Sequence, residues 1–422
     1  MLDLILTILG VLLYFPFIVY AIQIPWSKTS WTRQLLSALL VLQVITLLHI
    51  PSVMYCCAVL LFAALVIHLF LVRPAFRWTP VLVCSGLYMA WFVVSLLWSP
   101  APLKGLRFID SHGLPLIGFA VLGAVMCIEE KEYERMIKTC LQSAFIFVGL
   151  GISAWLMTCL QLEVHPWEWP TLGKTTFYGE YVYQWIFRFN GGVHGYTHPS
   201  YNLLPFFAIL CLAMPLRKRG MLPAWKWWVL WVGGLLLSIL AQSRMSIFYS
   251  TLMPALYALY MTKTTKQRLT AAACVAAIGV VCIGFTASYG CHYADDINRE
   301  QIKTLSWKYV HAKPLTGAGV GALSPEEISR VTGETSWPEV GHLPHNEWLA
   351  DWTHAGILAA LLSLALYAAA GIESVRKRRW EISAWLLLFC IFSCLEPPLY
   401  IGKGLYIFCL MATVLYMRKV NR

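Results

Sequence analysis

The sequence predicts an all-α polytopic membrane protein of about 12 to 13 transmembrane helices with a large folded loop on the non-cytoplasmic side. Three observations carry this. The 422 residues are 59% hydrophobic and 13% charged, with mean hydropathy +0.65, where soluble domains carry roughly 25% charged residues. Apolar runs near the roughly 20 residues that cross hydrocarbon recur along the whole chain. The loops between them alternate in charge: Arg217-Lys218-Arg219, Lys263/Lys266/Arg268, Arg376-Lys377-Arg378-Arg379 and Arg418-Lys419 all fall on one side. Basic residues collect in cytoplasmic loops, so that side is expected to face the cytoplasm.

Taken in order, hydropathy and breakers place spans near 2–22, 35–50, 52–72, 79–97, 113–128, 140–161, 200–216, 227–241, 245–262, 269–290, 348–370, 381–397 and 399–417. The first run lacks a basic leader and a small-residue cleavage site, and Pro16 interrupts it, so it reads as a retained helix. Residues 35–72 read either as two short helices or as one span with a re-entrant piece, which separates the two span counts. The whole of 1–422 is expected to form a single integral membrane domain. Its two long outer loops, 162–199 and 291–347, are aromatic and Gly-rich rather than low-complexity, and long structured loops usually carry function.

The net charge of +11 is an orientation signal rather than a nucleic-acid surface, because its placement follows the loops. Of the 13 Cys, all but Cys291 lie inside apolar runs, where they act as small hydrophobes and imply no disulfide framework. Apart from His68, every His lies in an outer loop or near the outer end of a span.

The second long loop contains Asn298-Arg299, Trp307 and the run Lys313-Pro314-Leu315-Thr316-Gly317-Ala318-Gly319-Val320-Gly321. It ends in Pro344-His345-Asn346-Glu347-Trp348, and Gly356-Ile357-Leu358 follows. At a helix start near the membrane surface an imidazole can stay neutral and accept a proton, which makes His345 a candidate general base. The alternative is a His that only caps the helix or anchors at the interface. The Gly317/Gly319/Gly321 run has no preceding strand and no following Lys-Ser/Thr, so it reads as a turn rather than a phosphate loop. Asp295-Asp296 are adjacent carboxylates and read as solvated; no metal site is assigned.

Gln242-Ser243-Arg244-Met245-Ser246 joins two apolar spans with almost no loop, which places Arg244 at the outer surface or in a cavity. A guanidinium there either snorkels to headgroups or binds an anion, and its planar fork matches phosphate in bidentate fashion. The first long loop closes with Phe187-Arg188-Phe189-Asn190-Gly191-Gly192 and then His194-Gly195-Tyr196-Thr197-His198-Pro199-Ser200, and Trp98-Ser99-Pro100 ends an earlier span.

Together these segments resemble the O-antigen ligase and polymerase superfamily of bacterial envelope glycosyltransferases. The resemblance runs in order through Trp98-Ser99-Pro100, Arg188 to His198-Pro199-Ser200, Ser243-Arg244, Arg299 with Pro314 to Gly321, and His345-Asn346 with Gly356-Ile357-Leu358. It implies a GT-C-like enzyme of the bacterial inner membrane with a periplasmic active face. Its donor would be an undecaprenyl-pyrophosphate-linked glycan, used without metal, cofactor or nucleotide sugar. By position, His345 resembles the family's essential His and Arg244 its junction Arg. The family's loop Arg precedes an aromatic by four residues, which would select Lys303 ahead of Trp307; Arg299 is the preferred candidate and Lys303 the reserve. Arg188 joins them as a candidate pyrophosphate contact, with Asn346 and His198 as supporting residues.

The expected activity is that of an O-antigen ligase, moving a polysaccharide from undecaprenyl pyrophosphate to a sugar hydroxyl of lipid A core by a single inverting displacement. Membrane lipids are its surroundings and nucleic acid is not a partner. An O-antigen polymerase is the nearest alternative. A transporter is the alternative from another class, weighed against by spans with few charged residues and no evident inverted repeat.

Overall fold

The computed structural model describes residues 2–27, 30–166, 176–177, 180–190, 199–262, 297–334 and 344–418, with a few positions between 264 and 277. In chain order its helices are α1 (Leu2–Gly10), α2 (Phe15–Ile22), α3 (Trp31–Leu47), α4 (Pro51–Val72), α5 (Pro80–Ser95), α6 (Pro102–Val125), α7 (Glu130–Gln161) and α8 (Pro199–Lys218). They continue with α9 (Ala224–Leu240), α10 (Arg244–Met261), α11 (Ile297–Ala312), α12 (Pro325–Thr332), α13 (Glu347–Ala355), α14 (Ile357–Arg376), α15 (Trp380–Ser393) and α16 (Gly402–Met417). Extended pairing among the described residues comprises the short antiparallel pair Thr176–Phe177 and Glu180–Tyr181 and a single parallel bridge between Ile128 and Arg418.

Seven helical segments among the described residues are long and apolar enough to cross a bilayer: Leu4–Ile22, Pro51–Val72, Pro80–Trp98, Pro102–Val125, Glu130–Gln161, Pro199–Lys218 and Ile357–Arg376. Trp31–Leu47, Ala224–Leu240, Trp380–Ser393 and Gly402–Met417 are shorter apolar helices. The chain is an all-α membrane protein. The run 35–72 forms two helices, because Pro51 can start a helix but cannot continue one. The span expected at 269–290 lies almost wholly outside the described residues.

Proline and small polar residues set the helix starts. Pro51, Pro80, Pro102 and Pro325 each occupy the first turn, where no backbone donor is lost. The side chains of Thr79, Ser243, Ser324 and Asn346 accept from the free amides of Leu82, Ser246, Glu327 and Leu349.

The chain divides into two units. The first comprises Met1–Pro74, Ile128–Ile283 and Arg418–Arg422. Its centre is α8, apolar on every side and buried from Pro199 to Leu216, with α7, α9 and α10 around it. At one end Arg219 pairs with Glu134 at 2.6 Å and with Glu130, which also pairs with Arg418. The helix directions then carry the Ser243–Arg244 junction and Arg188 to the opposite end of this unit.

The second unit comprises Ala75–Cys127 and Gly284–Met417. Here α16 is the buried centre, lying along α6 with the Thr413 hydroxyl donating to Phe119 O at 2.7 Å. At one end Arg77 donates to the carbonyls of Gly123, Ala124 and Met126, and buried Arg379 pairs with Glu381 at 2.6 Å. Cations at a helix C-terminus satisfy carbonyls that the helix leaves unpaired. The other end of the same unit carries Trp98–Pro100, the glycine run and His345.

The run expected as one span over 348–370 is broken at Gly356, which separates α13 from α14. Gly356 has φ 82° and ψ 176°, a conformation essentially restricted to glycine. Hydropathy continues across the break, so apolar character alone does not reveal it.

Candidate functional site

The second unit builds its outer end from segments far apart in sequence. The Pro314–Gly321 strap is anchored on both sides. Trp352 Nε1 and the Ile357 amide donate to Pro314 O at 2.8 and 3.0 Å, and the Ala318 amide donates to Thr353 O at 2.9 Å. Trp98 Nε1 donates to Thr316 O and the Ser99 hydroxyl to Val320 O, both at 2.8 Å. Gly319 and Gly321 take positive φ, and a Cβ on Gly321 would come within 2.3 Å of the Gly105 amide nitrogen. The glycines are therefore needed for close backbone approach. The strap joins the Trp98-Ser99-Pro100 corner to the Gly356 break, so three of the singled-out motifs form one structure.

His345 stands immediately before α13, half-buried, with Nδ1 3.0 Å from Oε2 of Glu396, a buried carboxylate in the turn between α15 and α16. With Nδ1 donating to the carboxylate, Nε2 is the nitrogen that can accept a proton. Asn346 caps α13 and its Nδ2 donates to Cys394 O at 3.1 Å, which ties the α13 start to the same turn. The group bonded to the imidazole is thus Glu396.

Behind this pair lie two further carboxylates one helical turn apart, Glu347 and Asp351, both 0% exposed. Glu347 Oε2 accepts from the Leu399 amide at 2.9 Å, while Oε1 is buried with no hydrogen-bond partner among the described residues. Asp351 Oδ1 accepts from Tyr88 at 2.6 Å and Tyr400 at 2.9 Å. Burial pushes the Asp351 carboxyl up to about 7, and burial together with the neighbouring Asp351 charge holds Glu347 well above the usual carboxylate range. Phe108, His112, His354 and Tyr400 stack beside them, with Phe108 and His112 ring centroids 3.8 Å apart.

On the loop helices, Lys303 is exposed and 3.9 Å from Glu300. Arg299 lies one turn earlier on α11, and its side chain is outside the described residues. Glu327 of α12 accepts from Lys313, Tyr309 and Arg330. Burial raises its carboxyl, but these bonds outweigh burial and hold it below its ordinary value.

In the first unit, Arg188 is 7% exposed and donates to Gln161 Oε1 at 2.8 Å. The hydroxyls of Ser200 and Ser243 are 2.8 Å apart, which joins the start of α8 to the Gln242–Arg244 junction. Gln242 takes φ 49°, and Arg244 is the first residue of α10. The Arg244 side chain, His198, Asp295 and Asp296 lie outside the described residues.

Glu396, Glu347 and Asp351 escaped the sequence reading. The signal for Glu396 was a lone acid in the hairpin Cys394-Leu395-Glu396-Pro397-Pro398 between two apolar runs, where an ionisable group is expensive unless paired. Glu347 and Asp351 carried the i, i+4 spacing of one helix face. No family model matches this chain, and no curated protein matches it.

Proposed function

We propose that this chain is an O-antigen ligase-type glycosyltransferase of the bacterial inner membrane, with 12 to 13 spans and its long loops periplasmic. The observation that carries the reading is the His345–Glu396 pair, an imidazole oriented by a buried carboxylate and set where a long loop meets a helix start. Orientation of a His by a carboxylate is the arrangement of a general base. His345 Nε2 takes the proton of an acceptor hydroxyl on lipid A core as that oxygen attacks the anomeric carbon from the face opposite the leaving group. The bond from that carbon to the undecaprenyl pyrophosphate oxygen breaks, and the pyrophosphate departs with the bonding pair. Arg244 and Arg299, with Arg188 and Lys303 in support, hold the pyrophosphate and stabilise its growing charge.

The deciding experiment is the lipopolysaccharide banding of a strain lacking this chain. Loss of all polymer on lipid A core, with long lipid-linked glycan accumulating, is expected. A single capped repeat instead identifies a polymerase, and unchanged banding removes both readings.

Orientation has its own test. In a background without reactive cysteines, Arg330→Cys, at an exposed position of α12, is expected to react with an impermeant maleimide from the periplasmic face. Labelling only after the inner membrane is opened would invert the topology and move the proposed site to the wrong compartment.

A further inference from the structure

The Cys394–Tyr400 turn, which supplies the carboxylate that meets His345, is held locally by backbone bonds from the Glu396 amide to Phe392 O at 2.8 Å and from the Tyr400 amide to Pro397 O at 3.1 Å. Two prolines, Pro397 and Pro398, contribute no amide donors. Its described ties to α13 are side-chain bonds: Asn346 to Cys394 O, Leu399 N to Glu347, and Tyr400 to Asp351. Tyr88 reaches Asp351 from α5, so the carboxylate that receives Tyr400 is itself fixed to a second helix.

We propose that Glu347 and Asp351 are positioning residues, which clamp the Cys394–Tyr400 turn onto α13 and thereby hold Glu396 against Nδ1 of His345. This rests on the general-base reading of His345 and adds two groups to it. The carboxylates sit on one helix face, one turn apart, and each grips a different residue of the turn that follows Glu396. Hydrophobic residues of similar volume would fill the same space without holding the turn in register. Two buried acids on one face are costly unless their bonds do something packing cannot.

Three tyrosines neighbour both acids. Tyr88 faces them from α5, Tyr400 from the turn, and Tyr367 from α14, its hydroxyl bonded to Ser393. A neutral carboxylic acid at Glu347 can keep the bond from the Leu399 amide to Oε2 without burying a charge. A glutamine keeps the same acceptor and is therefore the conservative replacement.

The test is a double-mutant cycle on the full-length enzyme in proteoliposomes, with a polyprenyl-pyrophosphate-linked glycan as donor. Glu347→Ala is expected to lower kcat about tenfold or more while the donor KM changes little. Glu347→Gln is expected to recover most of that loss. Because Glu347 acts through Glu396, the double variant Glu347→Ala/Glu396→Ala should be no slower than Glu396→Ala alone. Tyr400→Phe keeps the ring packed on Phe108 and removes only the hydroxyl, and it provides the same cycle if Glu347→Ala does not fold. Losses that multiply between Glu347 or Tyr400 and Glu396 would overturn the positioning role, as would failure of Gln to rescue. His345→Ala separates the two readings: near-normal transfer overturns both, whereas inactive His345→Ala with multiplicative cycles overturns this inference alone.

Discussion

Transfer by a folded His345→Ala enzyme is expected to fall by roughly 10²–10⁴-fold, the range for loss of an acid–base group, while the lipid-linked donor still binds. The substitution removes the proton acceptor and leaves the cations proposed to hold pyrophosphate in place. Binding and turnover should therefore separate. Glu396→Ala should follow the same pattern with a smaller loss, because the imidazole keeps its chemistry and loses its orientation. Arg244→Ala is the contrasting case. It removes a charge-assisted contact present in both ground and transition states, so donor affinity and transfer should weaken together. Lysine at that position should restore only part, since a point charge lacks the bidentate fork. Donor binding measured by filter retention or quenching, alongside single-turnover rates, checks all three. Near-normal transfer by His345→Ala would remove the general base, and unchanged donor binding by Arg244→Ala would remove the pyrophosphate contact.

The fold was legible where one-dimensional signals sufficed. Pro51, Pro80, Pro102 and Pro325 mark helix starts, and apolar runs mark the helices that follow. Helices α6 and α7 begin earlier than the expected spans at 113 and 140 because their first turns carry Lys104, Arg107 and Asp110, or Glu130 to Arg135, which lower hydropathy without interrupting the helix. The place of His345 at a helix start was legible. Its partner was not, because Glu396 is 51 residues away and its role depends on α15 returning to the end where α13 begins. Glu347 and Asp351 were hidden by a different cause. With the 348–370 run read as a single span, Asp351 would have been one acid inside a membrane helix rather than half of a clamp on a short helix before it.

That division rests on Gly356, and Gly356→Ala is expected to cost more than about 3 kcal/mol of stability, more than most single substitutions. Two terms add. Alanine at φ 82° and ψ 176° enters a region that only glycine populates comfortably, at about 1–3 kcal/mol. The new Cβ would also lie 1.9 Å from Leu315 O and 2.4 Å from its carbonyl carbon, so the strap has to move. Moving it stretches the bonds from Ile357 N and Trp352 Nε1 to Pro314 O and from Ala318 N to Thr353 O. It also disturbs the Trp98 bond to Thr316 O, which spreads the damage to the α5–α6 corner. Gly371→Ala, on α14 fifteen residues later, is the matched control: nothing lies within 4 Å of its added Cβ, and the helical backbone accepts it. Thermal unfolding in detergent, read by fluorescence and by the retained monomer peak, should show a large drop for Gly356→Ala and none for Gly371→Ala. A Gly356→Ala protein that melts with the wild type would mean that the α13–α14 break is not held by the strap. The clamp proposed for Glu347 and Asp351 would then lose the short, separate helix on which it depends.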